Sequence, residues 1–211
     1  LCNMKQLIKE IIQENQHMQI PVMVDRKTEV PLDLNVIVSL VGPRRSGKSW
    51  LLYRAMQQLE ERGVTRKQIL FINFEDERLM LQTQDLDLII QAYNELYPEI
   101  LMEEVYLFFD EIQNIPGWEQ FIRRVYDTRS RHLFITGSNA RLLSNEIATA
   151  LRGRSVTINV LPFSFEEYLR TLGIEPSHKT QKHRSTLIHY TEQFMHHGGF
   201  PETIGMPDHY R

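Results

Sequence analysis

Short apolar runs and amphipathic segments alternate along the chain. The apolar runs predict buried strands at residues 36–41, 69–74, 105–109, 133–136 and 155–160. The segments around them carry apolar residues at helical spacing and predict helices at residues 4–16, 48–62, 85–97, 118–127, 140–151, 164–172 and 186–197. Because the strands are continuous apolar runs, we expect an open α/β fold whose parallel sheet is buried on both faces.

The composition is that of a globular protein, since 42% of the 211 residues are hydrophobic and 24% are charged. Cys2 is the single cysteine of the sequence, which excludes an intrachain disulfide and suits a reducing compartment. The longest useful apolar run, residues 36–41, is far too short to span a bilayer, and the start of the sequence does not resemble a secretory signal. We therefore predict a cytoplasmic location.

Charge is distributed unevenly, although the formal net charge is only −3. Residues 75–111 contain eleven acidic residues and one basic residue, Arg78, whereas residues 121–154 contain seven arginines and two acidic residues. Such flanks suit self-association into a homo-oligomer or contact with a polyanion such as nucleic acid. Solvated helix faces are the simpler alternative.

Residues 42–49 match the phosphate-binding pattern G-x-x-x-x-G-K-[ST]. The match follows a predicted strand and opens a predicted helix, so backbone N–H groups and the helix N-terminus converge on phosphate. Lys48 can then reach the β- and γ-phosphates of a bound nucleotide, and the Ser49 hydroxyl can be a ligand for Mg²⁺. Arg44 and Arg45 either touch the γ-phosphate or a partner, or are solvated. The predicted nucleotide-binding residues are Gly42, Pro43, Arg44, Arg45, Ser46, Gly47, Lys48, Ser49 and Trp50.

Two adjacent carboxylates, Asp110 and Glu111, follow the apolar run 105–109. Ligands of open α/β sheets bind at the carboxyl ends of the strands, where the phosphate loop also lies. At that edge Asp110 can hold Mg²⁺ through water, and Glu111 can polarise the water that attacks the γ-phosphate. A helix N-cap for Asp110 and a surface position for Glu111 are the alternatives.

Further polar residues are candidates for the hydrolytic step. Asn139 or Ser138 can hold the attacking water or the γ-phosphate, or can cap the helix predicted at residues 140–151. Arg152 and Arg154 carry the planar guanidinium group that suits the charge of a phosphoryl transition state. They lie too far along the chain from the phosphate loop for a contact within the same copy to be assumed, but in an oligomer they could reach ATP bound to a neighbouring copy. They are alternatively cations at a helix C-terminus.

Five segments together resemble a prokaryotic family of AAA-type ATPases, which are P-loop NTPases. They are the phosphate loop at residues 42–49, FFDEIQNIPGWE at 108–119, ITGSNARLLSNEIATALRGR at 135–154, LPFSFEEYL at 161–169 and GGFPE at 198–202. The resemblance implies a three-layer α/β sandwich of the AAA/ASCE type with a five-stranded parallel sheet of order 5-1-4-3-2. Family members usually continue into a C-terminal domain with a nuclease-like fold, so we expect this chain to be part of a longer protein.

The resemblance also assigns roles to residues of this sequence. The matching positions are Lys48 and Ser49 for phosphate and Mg²⁺, Asp110 and Glu111 as the metal-binding and water-activating carboxylates, Asn139 as a sensor of the γ-phosphate, and Arg152 or Arg154 as an arginine finger. One departure from the family pattern is that the segment after Leu161 contains no clear second sensor arginine.

These observations predict three parts of the chain: an N-terminal helix and linker at residues 1–30, a P-loop ATPase core at 31–161, and a helical lid or linker at 162–211. The predicted function is hydrolysis of Mg-ATP coupled to a conformational change that acts on nucleic acid or on an attached C-terminal domain. The alternative is an ATP-dependent binding switch with negligible hydrolysis. A small-molecule kinase is disfavoured, because the segment after Leu161 does not supply an arginine-rich lid.

Overall fold

The strands of the protein form one parallel sheet. The computed structural model describes residues 2–20, 24, 26–138, 151, 153–174, 181–201 and 204. The strands in these residues are β1 (Ile37–Val41), β2 (Ile69–Asn73), β3 (Tyr106–Asp110), β4 (Leu133–Gly137) and β5 (Ser155–Asn159). Their order across the sheet is β2-β3-β4-β1-β5, and every neighbouring pair is parallel. This is the order 5-1-4-3-2 viewed from the other edge, so the predicted fold is confirmed.

The helices follow the predicted segments closely. Those in the described residues are α1 (Cys2–His17), α2 (Lys48–Glu61), α3 (Asp87–Leu96), α4 (Trp118–Thr128), α5 (Phe165–Thr171) and α6 (Gln181–His197). The helix predicted at 140–151 falls almost wholly outside the described residues. Within the described part of the chain, none of the helices combines the length and the apolar character that crossing a bilayer requires.

Two apolar layers bury the two faces of the sheet, because successive side chains of a strand point to opposite faces. Val38 and Leu40 of β1 pack in one core cluster with α2. Ile37 and Val41 of the same strand belong to a second cluster that contains α1, α3 and α4. The result is a three-layer sandwich with α2 on one face and α1, α3 and α4 on the other.

Helix α1 covers an edge of the sheet. It packs against α3 and against β2, which is the edge strand. The Asn15 side chain donates a hydrogen bond to the carbonyl oxygen of Phe71 at 2.9 Å. Pairing this backbone group with a side chain protects an edge that could otherwise pair with another strand.

Helices α5 and α6 pack together beyond the last strand. Tyr168 and Leu169 of α5 form a small core with Leu187 and Phe194 of α6. The hydroxyl of Ser164 accepts a hydrogen bond from the backbone N–H of Glu167, while the Glu167 carboxylate accepts one from the backbone N–H of Ser164. This reciprocal capping box fixes the start of α5 as the sequence predicts.

Candidate active site

The phosphate loop occupies the carboxyl edge of the sheet, between the end of β1 at Val41 and the start of α2 at Lys48. A Cβ atom at Gly42 would lie 2.0 Å from the carbonyl oxygen of Val160, so only glycine allows this approach of the two backbones. Gly47 precedes α2 with a φ of +94°, a conformation that favours glycine. No side chain caps the N-terminus of α2, and its first turn contains no acidic residue. The N–H groups of that turn therefore suit an anion.

Lys48 extends from the start of α2 into the centre of the site. Lys48 is only 4% exposed. The ammonium donates hydrogen bonds to the carbonyl oxygens of Gly42 at 3.3 Å and Pro43 at 3.0 Å. It also lies 3.2 Å from Oε1 of Glu111, with which it forms a buried ion pair. The loop thus holds its own cation inside the curve of the backbone, where a phosphate group would bind.

Asp110 is the last residue of β3 and is 1% exposed. Its carboxylate accepts hydrogen bonds from the hydroxyls of Ser49 and Thr136. Burial raises the pKa of Asp110 above its ordinary value, because it outweighs the opposing effect of these two hydrogen bonds. A divalent cation beside this carboxyl group would favour the ionised form.

Glu111 follows in a left-handed backbone conformation, with a φ of +52°. Such a conformation in a residue other than glycine costs about 1–3 kcal/mol and often marks a functional site. Burial raises the pKa of Glu111, but hydrogen bonds from Gln113 and Ser138 and the charge of Lys48 outweigh it, so the pKa lies below its ordinary value. The carboxylate is therefore ionised at neutral pH and can accept a proton.

Thr136 and Gln113 complete the contacts of the two acids, and neither residue was predicted from the sequence. The Thr136 hydroxyl donates to Oδ1 of Asp110 and accepts a hydrogen bond from the backbone N–H of Glu111 at 2.9 Å. The Gln113 amide donates to Oε2 of Glu111 at 2.5 Å. The available signals were weak: Thr136 is a hydroxyl residue within an apolar run, and Gln113 belongs to the DEIQN segment that carries the family resemblance.

A cavity of about 560 Å³ adjoins the phosphate loop at Gly47. Trp50 of α2, which is 43% exposed, lines it together with Thr28, Phe163 and Pro201. The backbone N–H of Phe163 donates a hydrogen bond to the carbonyl oxygen of Gly199 at 2.7 Å. The LPFSFEEYL and GGFPE segments therefore meet beside the phosphate loop. The volume lies within the usual range for small-molecule sites.

Arg26 joins this cavity to the phosphate loop, and no sequence signal indicated it. Its guanidinium donates to the carbonyl oxygens of Ser46 at 3.0 Å and Leu161 at 2.7 Å, and to Oε1 of Glu167 at 3.0 Å. It also lies over the Phe163 ring, 4.6 Å from the centroid. The side chains of Arg26 and Glu167 are only 9% and 5% exposed, so their ion pair is buried.

Two further predicted residues that the structure describes, Arg44 and Arg154, form ion pairs with other acidic residues. Arg44 of the loop pairs with Glu75, with a nitrogen–oxygen distance of 2.6 Å. Arg154 pairs with Asp127 at 2.8 Å, and its carbonyl accepts the N–H of Ile37, the first residue of β1. Arg154 therefore lies at the amino edge of the sheet, a strand length of about 16 Å from the loop. Asn139 and Arg152 lie outside the described residues.

A family model described as an AAA domain matches residues 34–169. The chain belongs to this AAA domain family. The match includes the phosphate loop, Asp110, Glu111 and Thr136. It begins just before β1 and ends within α5, so it spans the whole parallel sheet.

This AAA domain is similar in sequence to two uncharacterized proteins and in fold to one solved structure. The chain is 34% identical to the uncharacterized protein MJ1544 of Methanocaldococcus jannaschii, over 99% of the chain and 45% of that protein. An uncharacterized protein of Haemophilus influenzae is 35% identical over 82% of the chain and 41% of its own length. The chain thus spans less than half of either relative. The structure of C. elegans PCH-2 matches 99% of the chain and 60% of its own chain, with a TM-score of 0.52 and 14% identity.

Proposed function

We propose that this AAA domain binds Mg-ATP and hydrolyses it to ADP and phosphate. The observation that carries the proposal is the buried ion pair of Lys48 and Glu111, whose charged atoms lie 3.2 Å apart. It lies beside Asp110, which is hydrogen-bonded to Ser49. This arrangement brings a cation for phosphate, oxygen ligands for a metal and a base for water to the end of one phosphate-binding loop. Those are the parts that phosphoryl transfer to water requires.

The Ser49 hydroxyl and the Asp110 carboxylate fit Mg²⁺, because both are hard oxygen ligands of the kind this cation takes. When bound, the metal neutralises negative charge on the phosphates. The first-turn N–H groups of α2 and the Lys48 ammonium would bind the phosphate oxygens. The nucleoside would occupy the adjoining cavity, where Trp50 offers an aromatic ring.

Glu111 would act as the base. In the described arrangement its charge is neutralised by Lys48, which also bonds to two carbonyls of its own loop. A bound γ-phosphate would draw the Lys48 ammonium away from Glu111, leaving Oε1 able to accept a proton from the attacking water. Asn139 stays a proposed second partner of that water or of the γ-phosphate.

An arginine would complete the site from a second copy. Arg154 lies at the amino edge of the sheet, so it reaches ATP only in another subunit of a homo-oligomer. We infer that Arg152 or Arg154 stabilises the transition state in trans. The neighbouring copy would bring its basic segment, residues 121–154, towards the acidic segment, residues 75–111. Nucleic acid is a proposed partner of the same basic segment.

Residues 162–211 would form a helical lid over the nucleotide. The contacts of Arg26 with Glu167 and Phe163 of this segment support the proposal, because Arg26 and Phe163 line the cavity that the nucleotide would enter. In the longer relatives the lid would transmit hydrolysis to other domains, and the nuclease-like domain of the resembled family is one proposal for them.

The test is the release of phosphate from Mg-ATP, measured over a wide range of protein concentration. We expect a rate that depends on Mg²⁺, rises per subunit with protein concentration and is lost in Lys48→Ala. Arg154→Ala should retain ATP binding and lose the rise with concentration, while Arg62→Ala, on an exposed pair with Asp33, is the matched control. Absence of phosphate release at every concentration would contradict the proposal.

The second candidate is a switch that binds ATP without hydrolysing it. One observation favours it: the Glu111 carboxylate is paired with Lys48, and Arg154 is paired with Asp127 at the opposite edge of the sheet. The switch predicts tight ATP binding and nucleotide-dependent self-association in sedimentation, with no phosphate released.

A further inference from the structure

The two oxygens of the Glu111 carboxylate have different partners. Oε2 accepts hydrogen bonds from the Gln113 amide at 2.5 Å and from the backbone N–H of Ser138 at 3.1 Å. Oε1 lies 3.2 Å from the Lys48 ammonium. One oxygen is therefore held by the protein, and the other faces the cation that would bind phosphate.

The chemistry of the amide fixes its orientation. An ionised carboxylate only accepts hydrogen bonds, so Gln113 must present its nitrogen to Glu111. The same nitrogen lies 3.5 Å from the Ser138 hydroxyl oxygen. The amide oxygen Oε1 of Gln113 is buried and has no hydrogen-bond partner in the structure. Burying an unpaired acceptor destabilises a protein, and such groups in native structures call for an explanation.

A second unfavourable feature lies in the same turn. Glu111 has a φ of +52° at the start of the short 3-10 helix Ile112–Asn114. Stability alone would favour glycine at residue 111, and an apolar side chain at residue 113 would avoid the unpaired oxygen. Both features adjoin the Glu111 carboxylate, and stability alone explains neither.

We propose that Gln113 is a positioning residue that fixes Oε2 of Glu111 so that Oε1 faces the attacking water. The inference rests on the proposed ATP hydrolysis. In that step the water oxygen attacks the γ-phosphorus and the bond between this phosphorus and the β–γ bridging oxygen breaks. The water proton passes to Oε1 of Glu111, and ADP leaves with the bridging oxygen. When a bound phosphate draws Lys48 away, the hydrogen bonds from Gln113 and Ser138 would still hold the Glu111 carboxylate in its orientation towards the water.

The test compares the parent chain, Gln113→Met, Glu111→Gln and the double variant. Methionine has nearly the shape of glutamine without the amide donor. We expect Gln113→Met to lower kcat by about tenfold to a hundredfold, as misorientation of a reacting group does, while the Kd for ATP changes by less than about threefold. In the Glu111→Gln background the same substitution should lower the residual rate no further, because no base remains to be positioned.

Two controls separate this role from a structural one. Gln120→Met changes an exposed glutamine of α4 and should leave kcat unchanged. Gln113→Ala removes the amide without adding bulk and should repeat the loss of kcat, and thermal unfolding of both Gln113 variants checks that they fold.

The possible outcomes are distinct. A parental kcat in Gln113→Met, an equal loss in the Glu111→Gln background, or failure of both Gln113 variants to fold would overturn the positioning role and leave the ATPase proposal standing. A parent chain and a Gln120→Met control that both release no phosphate would overturn the proposed function itself, and this inference with it.

Discussion

Thr136 links the two acids of the site through one hydroxyl group. It donates to Asp110 and accepts from the backbone N–H of Glu111, and its residue is only 1% exposed. The hydroxyl thereby connects β4 to the turn that follows β3. If it is removed, Asp110 loses a donor and the Glu111 N–H is left buried without an acceptor.

We predict that Thr136→Val lowers kcat for ATP hydrolysis by at least about tenfold, because the Asp110 carboxylate and the Glu111 backbone both lose a positional restraint. The free energy of unfolding should fall by about 1–3 kcal/mol, the usual effect of leaving a buried polar group unpaired. Steady-state kinetics and urea unfolding measure the two effects. Thr136→Ser, which keeps the hydroxyl, and Thr128→Val, in the last turn of α4, serve as controls. Parental kcat in Thr136→Val would exclude the bridge from the hydrolytic step.

The sequence was a good guide to charged site residues and a poor one to their polar neighbours. Lys48 sits in a loop pattern, and Asp110 and Glu111 follow an apolar strand, so their edge of the sheet could be predicted. Thr136 lies about 25 residues from the acids, and its role depends on strand register and side-chain rotamer. Hydroxyl and amide side chains are too common in loops for such a contact to leave a sequence signal.

At the scale of elements, helix α2 contributes residues both to the phosphate site and to the cavity proposed for the nucleoside. Its first turn faces the phosphate site through Lys48, and its outer face lines the cavity through Trp50. Trp50 and Tyr53 meet edge to face, with centroids 6.3 Å apart. The half-exposed indole of Trp50 is therefore a natural reporter of cavity occupancy.

We predict that Trp50 emission changes saturably when Mg-ATP binds. The measurement uses the Trp118→Phe chain, because Trp118 is the other tryptophan and is buried. Inorganic triphosphate should compete with ATP but leave the emission unchanged, since it has no nucleoside to enter the cavity. ATP binding detected by calorimetry without any change in Trp50 emission would place the nucleoside elsewhere.

The observed starts of α3 and α6 differ from the starts predicted from apolar periodicity. Helix α6 begins at Gln181, five residues before the predicted start, because its first residues are polar and carry no apolar repeat. Helix α3 begins at Asp87 and not at 85, because Thr83–Asp85 forms a separate 3-10 turn in which Asp85 accepts the N–H of Gln82. Both differences arise from polar groups whose local hydrogen bonds or solvation decide the backbone.

At the scale of the whole molecule, Arg26 ties together three segments that are distant in sequence. It bonds to the phosphate loop at Ser46, to Leu161 after the last strand, and to Glu167 of α5. The backbone N–H of Lys27 also donates to Glu167, at 2.9 Å. The N-terminal linker thus contacts the phosphate loop and α5, and the division of the chain at residues 30 and 161 stays a prediction.

We predict that Arg26→Met lowers the free energy of unfolding by about 3–5 kcal/mol, because it leaves the buried Glu167 carboxylate without its cation. Urea unfolding provides the measurement. Arg62→Met breaks the exposed pair with Asp33 and should cost less than about 1 kcal/mol. Equal losses in the two variants would show that the Arg26 pair is not buried in solution.

The same ion pair predicts a pH dependence of stability. Burial raises the pKa of Glu167, but backbone hydrogen bonds from Ser164 and Lys27 and the charge of Arg26 outweigh it, so the pKa lies below its ordinary value of 4.5. A lowered pKa stabilises the folded state above the unfolded pKa, and this contribution is lost as pH falls through the folded pKa. Unfolding free energy should therefore fall less below pH 4.5 in Glu167→Gln than in the parent. Parallel pH profiles would contradict this.

The most direct test of the account is the identity of the nucleotide retained by Glu111→Gln. The variant keeps Lys48, Ser49 and Asp110, so it should bind Mg-ATP about as tightly as the parent chain. After mixing with γ-labelled ATP and rapid separation, we predict that the variant retains intact ATP, whereas the parent retains ADP and has released labelled phosphate. Conversion of ATP at the parental rate by Glu111→Gln would contradict the claim that Glu111 is the base of this site.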